Sequence, residues 1–155
     1  MFDRITSHNT GNNKTENDME KHFELTDLEF ESSFKNCTLN PEIFSHEAHL
    51  RLAWIHITKY GEEAAIQNIC TQLIKFVEFA GAKGKYNQTL TIAAIKAVYH
   101  FINKSGSDTF QDFILEFPRL KYNFKDLMNI HYKVDIFNSE KAKKEFVEPD
   151  LVPFD

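Results

Sequence analysis

Two histidines stand three residues apart in a strongly apolar stretch of the chain. His46 and His49 lie within residues 44–57, and residues three apart on a helix have Cβ atoms about 5–6 Å apart. Two imidazoles at that distance can bind one metal ion, or can grip one anion or polar substrate. His56 stands seven residues beyond His49, about 10.5 Å further along a helix. We therefore predict His46 and His49, without His56, as candidate ligands of a divalent metal ion.

The sequence around this pair does not match a zinc protease, which needs histidines at positions i and i+4. Here Leu50 occupies the i+4 position after His46. The positive end of the helix dipole disfavours a charged imidazole, so we expect His46 to be neutral near pH 7. A neutral imidazole can coordinate a metal or accept a proton, and it can equally complete a buried hydrogen-bond network. The functional and the structural interpretation of the pair both remain open.

A second set of polar side chains precedes a later helix and could bind a polar small molecule or an anion at that helix N-terminus. Its members are Tyr86, Asn87, Thr89 and Thr91. The alternative is ordinary turn and capping chemistry, with Thr89 as the N-cap.

Arg51 and His131 are weaker candidates for the same ligand site. Arg51 would suit an anionic ligand, although it falls with Glu47 on the narrow strip of the helix that the pattern predicts to be solvated. His131 follows an aromatic segment and could approach from another direction, or could be structural.

The pattern of apolar residues predicts the helices that would position these groups. Ser45 is a favourable N-cap for a helix from 46 to 60, and Gly61 is a stop signal. This helix is apolar on two sides, so we expect it to be packed centrally. Other helices are predicted at about 27–36, 62–80, 89–103, 109–117 and 140–146, whereas 124–132 is helical or irregular and 148–155 is extended. The sequence thus predicts an all-α domain of five or six helices around a central histidine-bearing helix.

Composition limits the classes of protein that the chain can represent. Its 155 residues are 42% hydrophobic with a net charge of −5, which suits one domain that binds neither nucleic acid nor anionic membranes. No apolar run approaches the about 18 residues of a transmembrane helix, and no signal peptide is visible, so we expect a cytoplasmic protein. Cys37 and Cys70 are expected to be reduced thiols. Residues 1–21 are predicted to be a flexible tail, and 22–155 a single helical domain with an extended C-terminus.

Three blocks of the chain resemble an uncharacterised family of small bacterial helical proteins. The blocks are Phe44–Trp54, Tyr86–Thr91 and Phe146–Pro153, and the likeness extends from about Phe30 to the C-terminus. The second block of that family commonly reads Tyr-His-Glu-Thr, whereas this chain has Asn87 in place of the histidine. The resemblance implies a site shared by the first two blocks, and it implies no particular activity. If the family site is a metal centre with histidines from both blocks, this chain lacks one of the ligands.

Three classes of function follow from these observations. The first is a small enzyme that uses His46 and His49 as metal ligands or as acid and base. The second is a protein that binds a small molecule or a metal ion without turnover. The third is an interaction or regulatory domain with an exposed apolar patch and structural histidines. We expect a histidine-lined pocket. The sequence contains no catalytic triad, phosphate loop or dinucleotide motif that would indicate a type of reaction.

Overall fold

The computed structural model describes residues 19–154. All the regular secondary structure in that range is helical, with no β-strand. This confirms the predicted all-α class and one compact domain. Eight α-helices occur among the described residues: α1 Asp27–Lys35, α2 His46–Tyr60, α3 Glu62–Phe79, α4 Gln88–Ile102, α5 Phe110–Glu116, α6 Arg119–Tyr122, α7 Phe124–His131 and α8 Glu140–Lys144. Short 3₁₀ turns occupy Lys21–Glu24, Pro41–Ile43 and Lys83–Lys85. The predicted number of five or six is lower because the chain after α4 is divided into four short helices.

Side-chain caps explain where the first two helices begin. Thr26 accepts a hydrogen bond from the backbone of Glu29, and the Glu29 carboxylate accepts one from the Thr26 backbone, forming a capping box. Ser45 caps α2 by accepting from the Ala48 backbone. Gly61 ends α2 at a φ of 90°, which favours glycine. Because α3 begins at the next residue, the two helices fold back against each other.

The helix α2 contacts five other helices, namely α1, α3, α4, α5 and α6, while α3 and α4 also pack together. Aromatic side chains join several of these elements. The ring of Phe34 lies 4.9 Å from Phe44 and 4.8 Å from Phe76, measured between centroids. The ring contacts join α1, the turn before α2 and α3, and the helix contacts place α2 against elements from both halves of the described chain. Among residues 19–154 no helix is both long and apolar enough to cross a membrane.

The extended C-terminal segment runs alongside the end of α7. The backbone N–H of Leu151 donates to the carbonyl of His131 at 3.0 Å, and that of Val152 to the carbonyl of Ile130 at 3.4 Å. Both side chains remain about half exposed. Hydrogen bonds, and not burial of Leu151 and Val152, therefore hold these two residues against α7.

Most of the predicted N-terminal tail, residues 1–18, lies outside the described residues. The last part of that predicted tail belongs to the folded domain. Glu20 accepts a hydrogen bond from the Ser45 hydroxyl and pairs with Lys121. The segment that follows it, from Lys21 to Leu25, packs against the first two turns of α2 through His22 and Phe23.

Candidate metal centre

His46 is held in place by the backbone of α6. Its Nε2 atom donates to the carbonyl of Leu120 at 2.8 Å, and its ring contacts Phe124. Burial lowers the pKa of His46 to about 4, against a smaller opposing effect of the hydrogen bond to Leu120. The imidazole is therefore neutral near pH 7, in agreement with the expectation from its place at a helix start. Because the Leu120 carbonyl takes Nε2–H, Nδ1 is the nitrogen with a lone pair.

His49 lies one turn further along and stacks on Phe44, with ring centroids 3.9 Å apart. Burial lowers the pKa of His49 well below its ordinary range, and the neighbouring His46 adds to that effect. Both histidines are thus neutral imidazoles in an aromatic setting. Neither belongs to a group of three metal-ligating side chains among residues 19–154.

Glu47 and Arg51 lie in the interior, although the helical pattern predicts that they are solvated. Only 4% of each residue is exposed. Glu47 accepts from Nε2 of His22 at 2.7 Å and pairs with Nζ of Lys121 at 2.6 Å. Burial raises the pKa of Glu47, but the hydrogen bonds to His22 and Lys121 outweigh that effect and hold the pKa below its usual value. The prediction that Glu47 is solvated was wrong because its two partners, His22 and Lys121, come from segments far away in the sequence.

Arg51 fastens the N-terminal segment to α2. Its Nη1 donates to the carbonyl of His22 at 2.5 Å, and its Nη2 donates to the carbonyl of Leu25 at 2.8 Å and to Asp27 at 2.9 Å. The guanidinium also lies over the ring of Phe30, 5.0 Å from its centroid. Arg51 therefore acts within the fold, since its donors are directed at the protein's own carbonyl and carboxylate groups.

Three side chains converge in front of the first turn of α2, and we call them the Glu20–His22–Glu47 cluster. One potential ligand atom from each lies within 4.8 Å of the other two. His22 is fully buried, Glu47 is almost so, and Glu20 is partly exposed. Lys121 lies between the two carboxylates, 2.6 Å from Glu47 and 3.3 Å from Glu20. The cluster combines one imidazole with two carboxylates, a donor set that many divalent metals accept.

The polar side chains before α4 are engaged in holding the fold together. Asn87, and not Thr89, is the N-cap, because its Oδ1 accepts from the Leu90 backbone at 3.0 Å. The amide of Asn87 donates to the carbonyl of Ile136 at 2.8 Å. The Thr91 hydroxyl donates to the Asn87 carbonyl at 2.7 Å.

Thr89 and Tyr86 also have partners within the domain. The Thr89 hydroxyl donates to the carbonyl of Glu145 at 2.8 Å and accepts from the backbone of Val147 at 3.0 Å. The Tyr86 hydroxyl donates to the Gln88 side chain, and burial raises the pKa of Tyr86. These bonds tie α4 to the chain on either side of α8.

Two further histidines, His131 and His56, lie apart from these groups. His131, the last residue of α7, donates from Nδ1 to the carbonyl of Val152 at 2.7 Å and stacks on Phe154. It therefore helps to hold the C-terminal segment against α7. His56 is 1% exposed, and neither of its ring nitrogens has a hydrogen-bond partner within residues 19–154. Its ring contacts Tyr60. Burial lowers the pKa of His56, while the nearby Glu31 opposes that effect.

A surface groove of about 460 Å³ lies elsewhere, between α1 and the turn that precedes α2. Its lining includes Leu25, Glu29, Asn36, Leu39 and Ile43. It contains none of the residues that the sequence predicts as ligands.

Comparisons with protein-family models, with curated proteins and with solved structures find no match to this chain.

The sequence predicts none of the three cluster residues as ligands. Its helical pattern places Glu47 on a solvated strip, while Glu20 and His22 stand at the boundary of a segment whose composition predicts a tail. The one signal in the sequence is the alternation of charged residues with His22 and Phe23 just before the first helix. That signal gives no indication of a partner 25 residues further along the chain.

Proposed function

We propose that this protein binds a divalent metal ion through Glu20, His22 and Glu47. The observation that carries the proposal is the convergence of three ligand atoms within 4.8 Å, two of them on buried side chains. The function is that of a metal-binding helical protein, one of the classes that the sequence suggests. The ligands differ from the predicted pair His46 and His49, which lie on the same end of α2.

The donor set favours certain ions. Carboxylates suit Mg²⁺, Ca²⁺ and Mn²⁺, whereas imidazole suits Zn²⁺ and Fe²⁺, so a mixed set is best matched by Mn²⁺, Fe²⁺ or Zn²⁺. The charges of Glu20 and Glu47 would balance a divalent ion. Three protein ligands leave a coordination position for water or for a bound molecule. That position is where a small-molecule ligand would reach the metal.

The ion would take the place of the hydrogen bond between His22 and Glu47. Their facing atoms are 2.7 Å apart, and two ligands of one metal at about 2.1 Å each need a separation of about 3 Å. A small outward movement of Glu47 is therefore sufficient for this pair.

The histidine pair supports the site without being assigned as its ligands. His46 donates to Leu120, the residue before Lys121, so it fixes α6 against the cluster. In this proposal α2 is the central element of the domain, because it supplies Glu47 and orients both neighbouring segments.

The test is calorimetric titration of the metal-free, full-length protein with Mn²⁺ and with Zn²⁺. Wild-type protein should bind one ion, and Glu20→Gln should weaken binding by about tenfold or more, since one ligand charge is lost. Glu62→Gln is a matched control. Glu62 is 25% exposed and lies 3.2 Å from Lys96, whereas Glu20 is 24% exposed and lies 3.3 Å from Lys121. The control variant should bind the metal as wild type does.

Two results would contradict the proposal. The absence of stoichiometric binding of either ion would remove the metal-binding function. If binding is retained in Glu20→Gln and His22→Gln but lost in His46→Gln and His49→Gln, the ligands are the histidine pair and not the Glu20–His22–Glu47 cluster.

A further inference from the structure

We infer that Lys121 is a resident cation that exchanges with the metal ion, so that metal binding releases its ammonium group from the cluster. The inference rests on the proposed metal site and concerns how that site is regulated. It predicts two states of the protein, one in which the ammonium group of Lys121 occupies the cluster and one in which the metal ion occupies it.

The geometry places Lys121 where a metal would lie. Its Nζ is 2.6 Å from Oε2 of Glu47 and 3.3 Å from Oε2 of Glu20, two of the three proposed ligands. Among the ion pairs of residues 19–154, this lysine is the one that bridges two carboxylates of the cluster. Lys121 thus neutralises the same charges that a divalent ion would neutralise.

The two cations cannot occupy the cluster together. A metal bound at about 2.1 Å from the carboxylate oxygens would lie within a few ångströms of the ammonium group. Like charges at that separation, in a partly buried setting, repel strongly. The ion therefore binds only when the ammonium group leaves.

Lys121 has a way out of the cluster. About a quarter of its side chain is exposed, and its four-carbon stem is flexible. Its Nζ lies 5.3 Å from the ring centroid of Tyr122, a residue that is 67% exposed. A cation is stabilised over an aromatic face, and this contact already exists in the metal-free state, so the ring can continue to stabilise the ammonium group as it moves outward.

The backbone of α6 need not move with the lysine. The carbonyl of Leu120 remains bonded to Nε2 of His46 at 2.8 Å. Exchange would therefore change the surface at Lys121 and Tyr122 while the attachment of α6 to α2 stays in place. The metal-bound state presents a free ammonium group that the metal-free state holds inside.

The first experiment measures acylation of individual lysines in wild-type protein by mass spectrometry, with and without saturating Mn²⁺. An amine acylates slowly while it is protonated and ion-paired, so the rate at Lys121 should rise about threefold or more with the metal. Lys96 is the internal control, because it is 29% exposed and its pair with Glu62 lies outside the cluster. Its rate should not change.

The second experiment compares metal affinity by titration. Lys121→Met removes the competing cation and should tighten Mn²⁺ binding by about tenfold or more. Lys96→Met should leave the affinity unchanged. Circular dichroism establishes that each variant is folded, and the acylation experiment stands even if Lys121→Met does not fold.

The outcomes separate the two proposals. Metal binding with an unchanged acylation rate at Lys121, or with equal affinity in a folded Lys121→Met, would overturn the exchange and leave the metal site standing. If neither wild type nor Lys121→Met binds the metal, both the metal site and the exchange are overturned. If Lys121→Met binds the metal and wild type does not, the lysine excludes the metal from the natural protein, and both proposals are again overturned.

Discussion

The start of α2 and the start of α4 both carry buried polar side chains, but these side chains contact different groups. At α4 the groups are neutral, and Asn87 and Thr89 bond to nearby or crossing backbone. At α2 the groups are charged, and Glu47 is bonded to side chains from two other segments, His22 and Lys121. Both sets are buried, yet only the second brings metal-ligating atoms together.

The difference separates structural from functional polarity. A neutral side chain that satisfies a backbone carbonyl or N–H completes the fold, and a ligand would have to break that bond. In the proposed exchange at α2, by contrast, one cation replaces another between two carboxylates, and no backbone hydrogen bond has to break.

The largest effect is expected at Glu47. Glu47→Gln in metal-free protein removes the buried carboxylate that binds both His22 and Lys121, and it should lower the free energy of unfolding by about 3 kcal/mol. Urea denaturation measures the change. Glu62→Gln, which breaks a more exposed pair with Lys96, should cost less than about 1 kcal/mol. Equal, small effects at both positions would remove the distinction between the two ion pairs.

Acidification should destabilise the metal-free protein through His46. Its folded-state pKa of about 4 lies below the unfolded value of about 6.5, so the unfolded chain binds a proton first. The contribution of His46 is therefore complete above about pH 6.5 and is lost progressively down to about pH 4. Between pH 7.5 and 5 this loss amounts to about 2 kcal/mol.

The measurement for His46 compares urea unfolding of wild type and His46→Gln at the two pH values. Glutamine keeps a donor for Leu120 and does not titrate, so the variant should lose about 2 kcal/mol less on acidification. Burial also lowers the pKa values of His49 and His56, so the variant should retain some pH dependence. Identical pH dependence of the two proteins would show that His46 is not held neutral.

At the start of α4, Asn87 should affect stability but not metal binding. Asn87→Ala removes the cap on Leu90 and the donor to Ile136, and it should cost about 2 kcal/mol. Asn87→Asp keeps the acceptor for Leu90 but places a buried carboxylate against the Ile136 carbonyl, so it should cost at least as much. Thermal unfolding and Mn²⁺ titration check the two parts of the prediction. A loss of metal affinity in Asn87→Ala would show that the start of α4 also contributes to the metal site, against this prediction.

The smallest effect is expected at His56, the buried histidine with no hydrogen bond in the described part of the chain. His56→Leu loses no hydrogen bond and removes a polar group from the interior, so it should stabilise the protein by about 1 kcal/mol at pH 7.5. His46→Leu is the contrasting variant, because it leaves the carbonyl of Leu120 without its donor and should destabilise. Destabilisation by both would show that His56 has a polar role.

The sequence was sufficient to predict α1 to α5 because their signals are local. Thr26 and Ser45 are caps that act over three residues, and Gly61 ends a helix by its own conformation. The apolar spacing within α3 likewise depends on neighbours one turn away. Such signals are complete within about four residues, so they can be recognised without knowledge of the fold.

The cluster could not be predicted because its bonds join segments far apart in sequence. Helical periodicity treats a charged residue such as Glu47 as solvated, and its burial depends on His22 and Lys121, 25 and 74 residues away. Lys121 also lies on α6, a four-residue helix too short to give a periodic signal. The assignment of His46 and His49 as ligands stays a prediction from local spacing, and neither residue belongs to a group of three potential ligands among residues 19–154.

The most direct test of the central claim is electron spin-echo spectroscopy of Mn²⁺ bound to the full-length protein, which detects coupling to a coordinated imidazole nitrogen. We expect one histidine coupling in wild type, lost in His22→Gln and retained in both His46→Gln and His49→Gln. A coupling that persists in His22→Gln and disappears in His46→Gln would contradict the account, as would the absence of bound Mn²⁺.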